Sequence, residues 1–459
     1  MKIIRRLRVM PDVWECVVVI TSGQAAEAPV EAQTRSPRES LFARPQAVLE
    51  TALIVAGFVV LFFCMPHQIR GDDLKRLHDI QELLRYGKLD NSQYSIVMPL
   101  FSVPILLLGN VVESQKWWAG HVNVIFVAIG VTVAYFLLRR RYDPRLFRLT
   151  VLVMLGASFF TNRLRDWSVE TFTSVLVALG IICLVQNRHV FWGWLGIVIG
   201  VVNTPAAIIA LAMLACWQSA RTRQLRHLLA IPAAAALIML EAWIRRGGPF
   251  VTGYGKQGWT FPFVLGLFSI LFSFGRGLIF FTPGIVLWLG RHWRRAPARE
   301  AVAMMLVFVF GLVLVYSSWW AWDGGISWGP RFFLIAAIPA SILIATGIWR
   351  AGQSPVADAI TLGVLALSAW VALSGAIADV TQVSGFCEGK GFSNEVLCNY
   401  DPRNSSLWQV VGHFPRITTL TAFVWVYIIV VFGYLAAPLA ASVVRAVLPR
   451  RSWFAGWQI

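Results

Sequence analysis

The chain has 459 residues, of which 57% are hydrophobic and only 14% charged, and its mean hydropathy is +0.66. A water-soluble domain keeps about 25% charged residues to cover its surface, so a soluble reading is excluded and lipid is the expected solvent. The formal net charge of +17 raises nucleic acid as a partner, but no basic stretch carries interleaved aromatics on a soluble module. The positive-inside rule, which gathers Lys and Arg in cytoplasmic loops, accounts for the charge instead, and the 21 Trp fit the same membrane reading because indole favours the interface.

Taken in chain order, residues 1–46 read as a polar cytoplasmic tail or as an over-extended start. Their one apolar run, VWECVVVI, is too short to span and contains Glu15, and no small-residue cleavage site follows it. A spanning helix needs about 20 apolar residues, and the first such segment is 47–66, ending at Cys64-Met65-Pro66. The first outer loop covers about 67–118. In it Gly71-Asp72-Asp73 opens an amphipathic helix with an apolar side of Leu74, Leu77, Ile80, Leu83 and Leu84, and Gly87 stands at the expected C-cap. The following run SIVMPLFSVPILLLGNVV holds two prolines and no cytoplasmic charge cluster after it, so it reads as an interfacial or re-entrant helix.

Further spans are expected at 119–138, 146–161, 168–185, 190–203, 205–219, 228–244, 277–291, 301–318, 332–349, 358–377 and 417–437. The fold class is therefore all-α and polytopic, with about twelve spans, both termini inside, a membrane domain over 47–437 and a basic cytoplasmic tail over 438–459. The loops this places inside, among them RRRYDPRLFR, ARTRQLRH and RHWRRAPAR, carry most of the Lys and Arg. The outer loops are longer and carry most of the carboxylates. No internal repeat is visible. Cys16, Cys64, Cys183 and Cys216 read as small buried hydrophobes; Cys387 and Cys398 share one polar loop, where a disulfide would need an oxidising compartment.

Four outer segments carry groups capable of chemistry. Asp72 and Asp73 follow the first span directly; helix capping explains one carboxylate but not both. In TNRLRDWSVETF, the residues Arg163, Arg165, Asp166 and Glu170 gather at a helix junction, with Glu170 four residues beyond Asp166 on one helix face. They form either an interfacial salt bridge or a second acidic group facing the aspartate pair, with arginine for a phosphate. The stretch from RRGGPFVTGYGKQGW to FSFGRG offers Tyr254, Lys256 and Arg276, whose guanidinium either snorkels or clamps a lipid-linked phosphate. In SSWWAWDGGISWGPRF, Trp319, Trp320, Trp322 and Trp328 suit an aromatic belt or a sugar platform, beside Asp323 and Arg331. Walker loops and His-rich metal spacing are absent from the sequence.

In this order the pieces resemble the GT-C glycosyltransferases, membrane enzymes that use polyprenyl-phosphate sugars. The likeness is closest to the bacterial branch of the lipid A aminoarabinose transferase and the protein O-mannosyltransferase-like proteins. It rests on the acidic pair after the first span, on RRGGPFVTGYGKQGW…LFSFGRGLIFFTPG and on WWAWDGGISWGPRFF. The resemblance implies inverting transfer of a sugar from a polyprenyl-phosphate donor to a hydroxyl of a glycan, glycolipid or protein, at the periplasmic face of the inner membrane.

The same resemblance places Asp72 and Asp73 at the catalytic position, one of them as general base, although its second residue is often Glu. It makes Asp166 a further acid and leaves Glu170, Tyr254, Trp320 and Asp323 to bind substrate. Arg163, Arg165, Lys256, Arg276 and Arg331 are the cations that could hold the leaving phosphate. The site is compatible with a divalent cation but does not require one. A secondary transporter or flippase for lipid-linked sugars would show paired broken helices in repeated halves. A non-catalytic envelope-assembly protein would be free to lose Asp72 and Asp73.

Overall fold

The computed structural model describes residues 45–255, 257–325, 327–378, 392–412 and 417–448. Residues 1–44 and 449–459 of the two tails, Lys256 and Cys387 lie outside these. The cysteine pair expected in the last outer loop is therefore not described, although Cys398 is buried. Among the described residues every regular element is helical.

Helix α1 (Pro45–Phe63) is the first span. Two helices of the segment expected as the first outer loop follow, α2 (Asp72–Tyr86) and α3 (Val97–Leu108). Then come α4 (Gln115–Leu138), α5 (Pro144–Gly156), α6 (Val169–Val185), α7 (Val190–Asn203), α8 (Ile208–Thr222) and α9 (Ala230–Arg246). The second half holds α10 (Phe263–Phe272), α11 (Arg299–Tyr316), α12 (Ala337–Trp349), α13 (Pro355–Ile377), α14 (Phe392–Tyr400) and α15 (Thr419–Val447). Seven helices among the described residues are long and apolar enough to cross a membrane, and they coincide with seven of the expected spans.

Of the other five expected spans, 168–185 and 190–203 are the single helices α6 and α7, shorter than those seven, 146–161 is cut short at Gly156, and 205–219 and 277–291 are interrupted. The segment 277–291 breaks into Leu278–Phe281 and a 3-10 stretch Pro283–Leu289. Pro283 has no N–H to give the helix, and Gly284 lies so close to α12 that an added Cβ would stand 2.7 Å from the Ala340 carbonyl. The 205–219 segment starts as a 3-10 turn at Pro205–Ala207 before α8. With only 12 residues, α3 is too short to span, as expected of an interfacial helix. At the C-terminal end, α15 runs on to Val447 past the expected limit of the last span.

Helix starts follow local chemistry. Ser114 accepts from Trp117 N at 3.1 Å, and Asp143 accepts from Arg145 N at 2.8 Å with Pro144 in the first turn. Thr418 caps α15 through Thr421 N at 3.2 Å. Small residues let backbones meet: a Cβ on Gly180 of α6 would sit 2.5 Å from the carbonyl of Gly193 on α7.

Three apolar clusters organise the core. One joins α1, α5, α12, α13 and α15 through Leu61, Leu152, Ile344, Leu365 and Val431. A second joins α6, α7, α8 and α11 through Val177, Val201, Leu211 and Phe308. The third packs the loop helices on α4 through Ile80, Met98, Val122 and Trp167. Val59, Phe136, Phe310 and Val430 are exposed on the outside of the bundle, as lipid-facing side chains should be. Near the first turn of α1, Glu50 is fully buried yet satisfied by Arg148 at 2.7 Å, Arg145 at 3.4 Å and the Tyr434 hydroxyl at 2.7 Å. That cluster ties α1, α5 and α15 together.

Candidate active site

The buried side of α2 is narrower than its apolar pattern suggests. Leu77 and Ile80 are buried, but Leu74 and Leu84 are exposed, and the charged Arg76 and Asp79 are buried beside the apolar pair. Gly71, at φ 50°, precedes the helix and no side chain caps it. Neither aspartate is spent as a cap, so both carboxylates sit in the first turn, where the helix dipole favours negative charge.

Their partners differ. The Tyr94 hydroxyl donates to Asp72 Oδ1 at 2.7 Å, and Arg331 Nη2 donates to Asp72 Oδ2 at 3.1 Å. Asp73 Oδ1 instead accepts from Arg76 Nη1 at 3.0 Å, one helical turn on. The Arg76 guanidinium lies 4.5 Å over the Tyr94 ring, which links the two halves of the pair. On the far side Arg331 Nε is 3.9 Å from Glu170 Oε1, and Glu170 Oε2 accepts from the Ser168 hydroxyl at 2.6 Å. Asp166 Oδ2 lies 3.4 Å from Arg163 Nη2. Asp72, Asp73, Asp166 and Glu170 therefore share one site with Arg76, Arg163 and Arg331.

Electrostatics separates the two aspartates. Burial pushes Asp73 up, Arg76 opposes, and the charges of Asp166, Glu170 and Asp72 add to the rise, which brings it to about 7. Burial acts on Asp72 too, but Arg331, Arg76 and the Tyr94 hydrogen bond outweigh it and hold that carboxyl below its ordinary value. Burial also raises Asp166, against Arg163 and Arg165. Two buried guanidinium nitrogens, Nε of Arg76 and Nε of Arg331, have no hydrogen-bond partner. They are donors left over at the cluster itself, which buried polar groups rarely are.

Several expected substrate contacts also hold the frame. Arg165 donates from Nε to the Pro66 carbonyl at 2.9 Å and also bonds the Ala378 carbonyl. Arg163 fixes the Asn162 amide oxygen at 2.6 Å and the Trp328 carbonyl at 3.3 Å. Arg276 bonds the carbonyls of Gly325 at 3.0 Å, Gly329 at 3.2 Å and Ser327, so it clasps the loop that leads to Arg331. Asp323 is a turn residue: its Oδ1 accepts from Gly325 N at 3.0 Å. Gly324, at φ 84°, has to be glycine for its conformation and for space, since a Cβ there would stand 2.9 Å from Arg331 Cγ.

Tyr254 adjoins the cluster, and Trp320 is linked to it through Trp319. The Tyr254 ring is 5.3 Å from Trp319, and Trp319 lies 6.4 Å from the exposed Trp320. Asp72, Arg76, Arg331 and Glu170 all act on the Tyr254 hydroxyl, whose pKa burial raises.

Arg76 and Tyr94 were not among the expected site residues. Arg76 had a legible signal, the three-residue spacing from Asp73 on one helix face. Tyr94 had none, because it stands in an irregular segment whose place is set from α9. There Glu241 accepts from Ile96 N at 2.8 Å and from Ser95 Oγ at 2.9 Å, Arg246 donates to the Ser92 carbonyl at 3.0 Å, and Arg245 bonds the Tyr94 carbonyl. Among the described residues one group of three could offer metal-ligand atoms to a common point, His78, Asp79 and Asp90. Lys75 already pairs with both of its carboxylates, and Arg245 with Asp79 at 3.0 Å.

No family profile matches this chain, and no curated protein sequence does. Solved structures similar in overall fold include two of ArnT from Cupriavidus metallidurans. The crystal structure bound to undecaprenyl phosphate is 14% identical, with a TM-score of 0.48, and the match covers 87% of this chain and 77% of that one. The apo crystal structure is 15% identical, with a TM-score of 0.49 and the same coverage.

Proposed function

We propose that the chain is a membrane glycosyltransferase that moves a sugar from a polyprenyl-phosphate donor to an acceptor hydroxyl, with inversion at the anomeric carbon. The observation that carries this reading is the pair Asp72–Asp73 at the start of α2, each carboxylate matched to its own arginine, with Asp73 also close to the charges of Asp166 and Glu170. Asp73 is the general base in this reading. It is nearly buried, and burial keeps its affinity for a proton high enough to draw one from a hydroxyl. Asp72, held ionised by Arg331 and Tyr94, keeps Arg331 aimed at the site.

The reaction makes one bond and breaks one. The acceptor oxygen bonds to the anomeric carbon as the bond from that carbon to the phosphate oxygen breaks. The electron pair leaves on the phosphate, and the acceptor proton goes to Asp73. A phosphate leaves readily, so the site needs positive charge more than a proton donor. Arg331 and Arg76, each with a buried Nε that makes no hydrogen bond, supply it; this reading requires no divalent cation.

A polyprenyl phosphate, the ligand in one of the ArnT structures, is the donor's lipid part. Its tail has an apolar groove to enter, lined by Val131, Ala134, Val151, Met154, Val175 and Ile182 between α4, α5 and α6. Val175 stands five residues along α6 from Glu170, about 7.5 Å down the helix axis. In this reading the site faces the periplasmic side of the inner membrane, which the distribution of loop charge supports.

The test supplies a radiolabelled polyprenyl-phosphate sugar to membranes containing wild-type protein, Asp72→Asn or Asp73→Asn. Loss of a general base lowers transfer about 10²- to 10⁴-fold, and Asp73→Asn should fall in that range. Equal transfer by all three proteins sinks the role of the pair. Movement of the sugar-lipid across proteoliposomes with no new glycosidic bond would make the chain a transporter.

A further inference from the structure

Outside the charged cluster, the outer loops carry a strip of aromatic rings that the proposed chemistry leaves unused. It begins at Tyr254, whose electrostatic neighbours are Arg76, Asp72, Arg331 and Glu170. Trp319 meets the Tyr254 ring at 5.3 Å with an interplanar angle of 85°, and Trp259 lies 4.8 Å from Trp319. Trp259 and Trp320 are 53% and 42% exposed. A run of indoles at a membrane surface can be a lipid belt, which asks for no fixed arrangement between its members. This strip is fixed. Phe261 N donates to the Ser318 carbonyl and Trp320 N to the Gly258 carbonyl, both at 3.0 Å, so two loops distant in sequence are zipped together with the tryptophans on them. Gly253, at φ 81°, presses the Tyr254 turn against Gln93, next to Tyr94, where a Cβ would be 2.9 Å from Gln93 Cα. The strip is thus anchored at one end to the segment that bonds Asp72.

We propose that Tyr254, Trp319, Trp259 and Trp320 form the acceptor subsite and that the acceptor is a glycan, bound by stacking of sugar C–H faces on these rings. The proposal rests on the glycosyltransferase reading and names the class of molecule whose hydroxyl is used. Sugar C–H groups are weakly electropositive and match the negative face of an indole. Rigid, preassembled rings bind with little ordering cost. An extended peptide would instead need free main-chain donors and acceptors along the edge, but amides of Phe261 and Trp320 are taken up by the zipper. The donor, held by its phosphate at the arginines and by its tail in the bilayer, has no need to reach the exposed tryptophans. A glycan seated on the strip brings one hydroxyl towards Asp73. Its oxygen takes the anomeric carbon, its proton passes to Asp73, and the polyprenyl phosphate departs with the bonding electrons.

The test is saturation-transfer NMR on the full chain in lipid nanodiscs, with chitotriose, mannotriose and a serine- and threonine-containing peptide as probes. Wild-type protein should saturate the ring C–H protons of at least one sugar. The Trp259→Leu/Trp320→Leu double variant should bind that sugar about ten-fold more weakly, and Trp259→Phe/Trp320→Phe should recover part of the loss. Binding of sugar-free polyprenyl phosphate should stay at the wild-type level in both variants. Binding of the peptide but of neither sugar overturns the proposal, as does no binding of any probe or equal sugar binding by wild type and the Leu variant. A double variant that loses polyprenyl phosphate as well overturns it too, because the strip would then hold the donor. Glycan binding and sugar transfer are separate readouts: absence of transfer in wild type removes the enzymatic reading, and absence of glycan binding removes only this one.

Discussion

At the start of α2, two carboxylates one residue apart meet different neighbours, and the difference has a consequence in pH. A general base must be ionised to act, and Asp73 is half ionised at about 7. The second-order rate constant kcat/KM should therefore rise between pH 6 and 8 with a midpoint near 7, since it reports the free enzyme. Arg76 favours the ionised form of Asp73, so Arg76→Gln should move that midpoint to higher pH. An acidic limb left in place by Arg76→Gln would remove Asp73 from the role of base. The same shift has a sign for stability. From about pH 4 to about 7 the folded chain holds a proton on Asp73 that the unfolded chain releases, so this group's contribution weakens as pH rises through that window. Of these residues, the aspartate pair was legible from its place after the first span, whereas Tyr94 was not. No periodicity marks a side chain whose position depends on hydrogen bonds from another helix.

Elements place these side chains, and the loop from Asp323 to Arg331 shows how. It has no regular structure, yet Arg276 bonds three of its carbonyls and the Asp323 carboxylate closes its first turn. The sequence marked Gly324-Gly325, Gly329-Pro330 and Arg276 as notable, but a cation beside an apolar segment reads equally as a phosphate clamp. Only the fold shows that its donors go to the main chain. The breaks in the segments 205–219 and 277–291 were hidden for a similar reason. Apolar content fixes which segments enter the membrane, while breaks such as that at Pro283-Gly284 depend on how closely α12 packs there. The clasp gives a prediction at this scale. Lysine keeps the charge of Arg276 but lacks the planar fork that bonds several carbonyls at once. Arg276→Lys should leave Arg331 misplaced and lower transfer about 100-fold, the cost expected of a displacement near 1 Å. A wild-type rate in that variant would show that the loop holds itself.

Across the whole molecule the charges sort by the two ends of the bundle, and this sorting ties the proposed chemistry to one end. The acidic cluster gathers at the N-terminal ends of α2 and α6, and α4 leads away from it towards Arg139, Arg140 and Arg141. Glu50 and its arginine partners on α5 lie at the other end of α1 from the cluster. One end of the bundle therefore carries paired carboxylates and aromatic loops, and the other carries the basic loops that the positive-inside rule assigns to the cytoplasm. If that assignment holds, a single cysteine at Gln257, on the loop beside Tyr254, should react with a membrane-impermeant maleimide added to intact cells. A single cysteine at Arg140 should react only after the membrane is opened. Both positions are exposed, so failure to label cannot be put down to burial. The reverse pattern would put the carboxylates on the cytoplasmic side and the tryptophan strip with them. Donor and glycan would then both have to be cytoplasmic, and the orientation read from the basic loops would be wrong even with every contact at Asp72 and Asp73 intact.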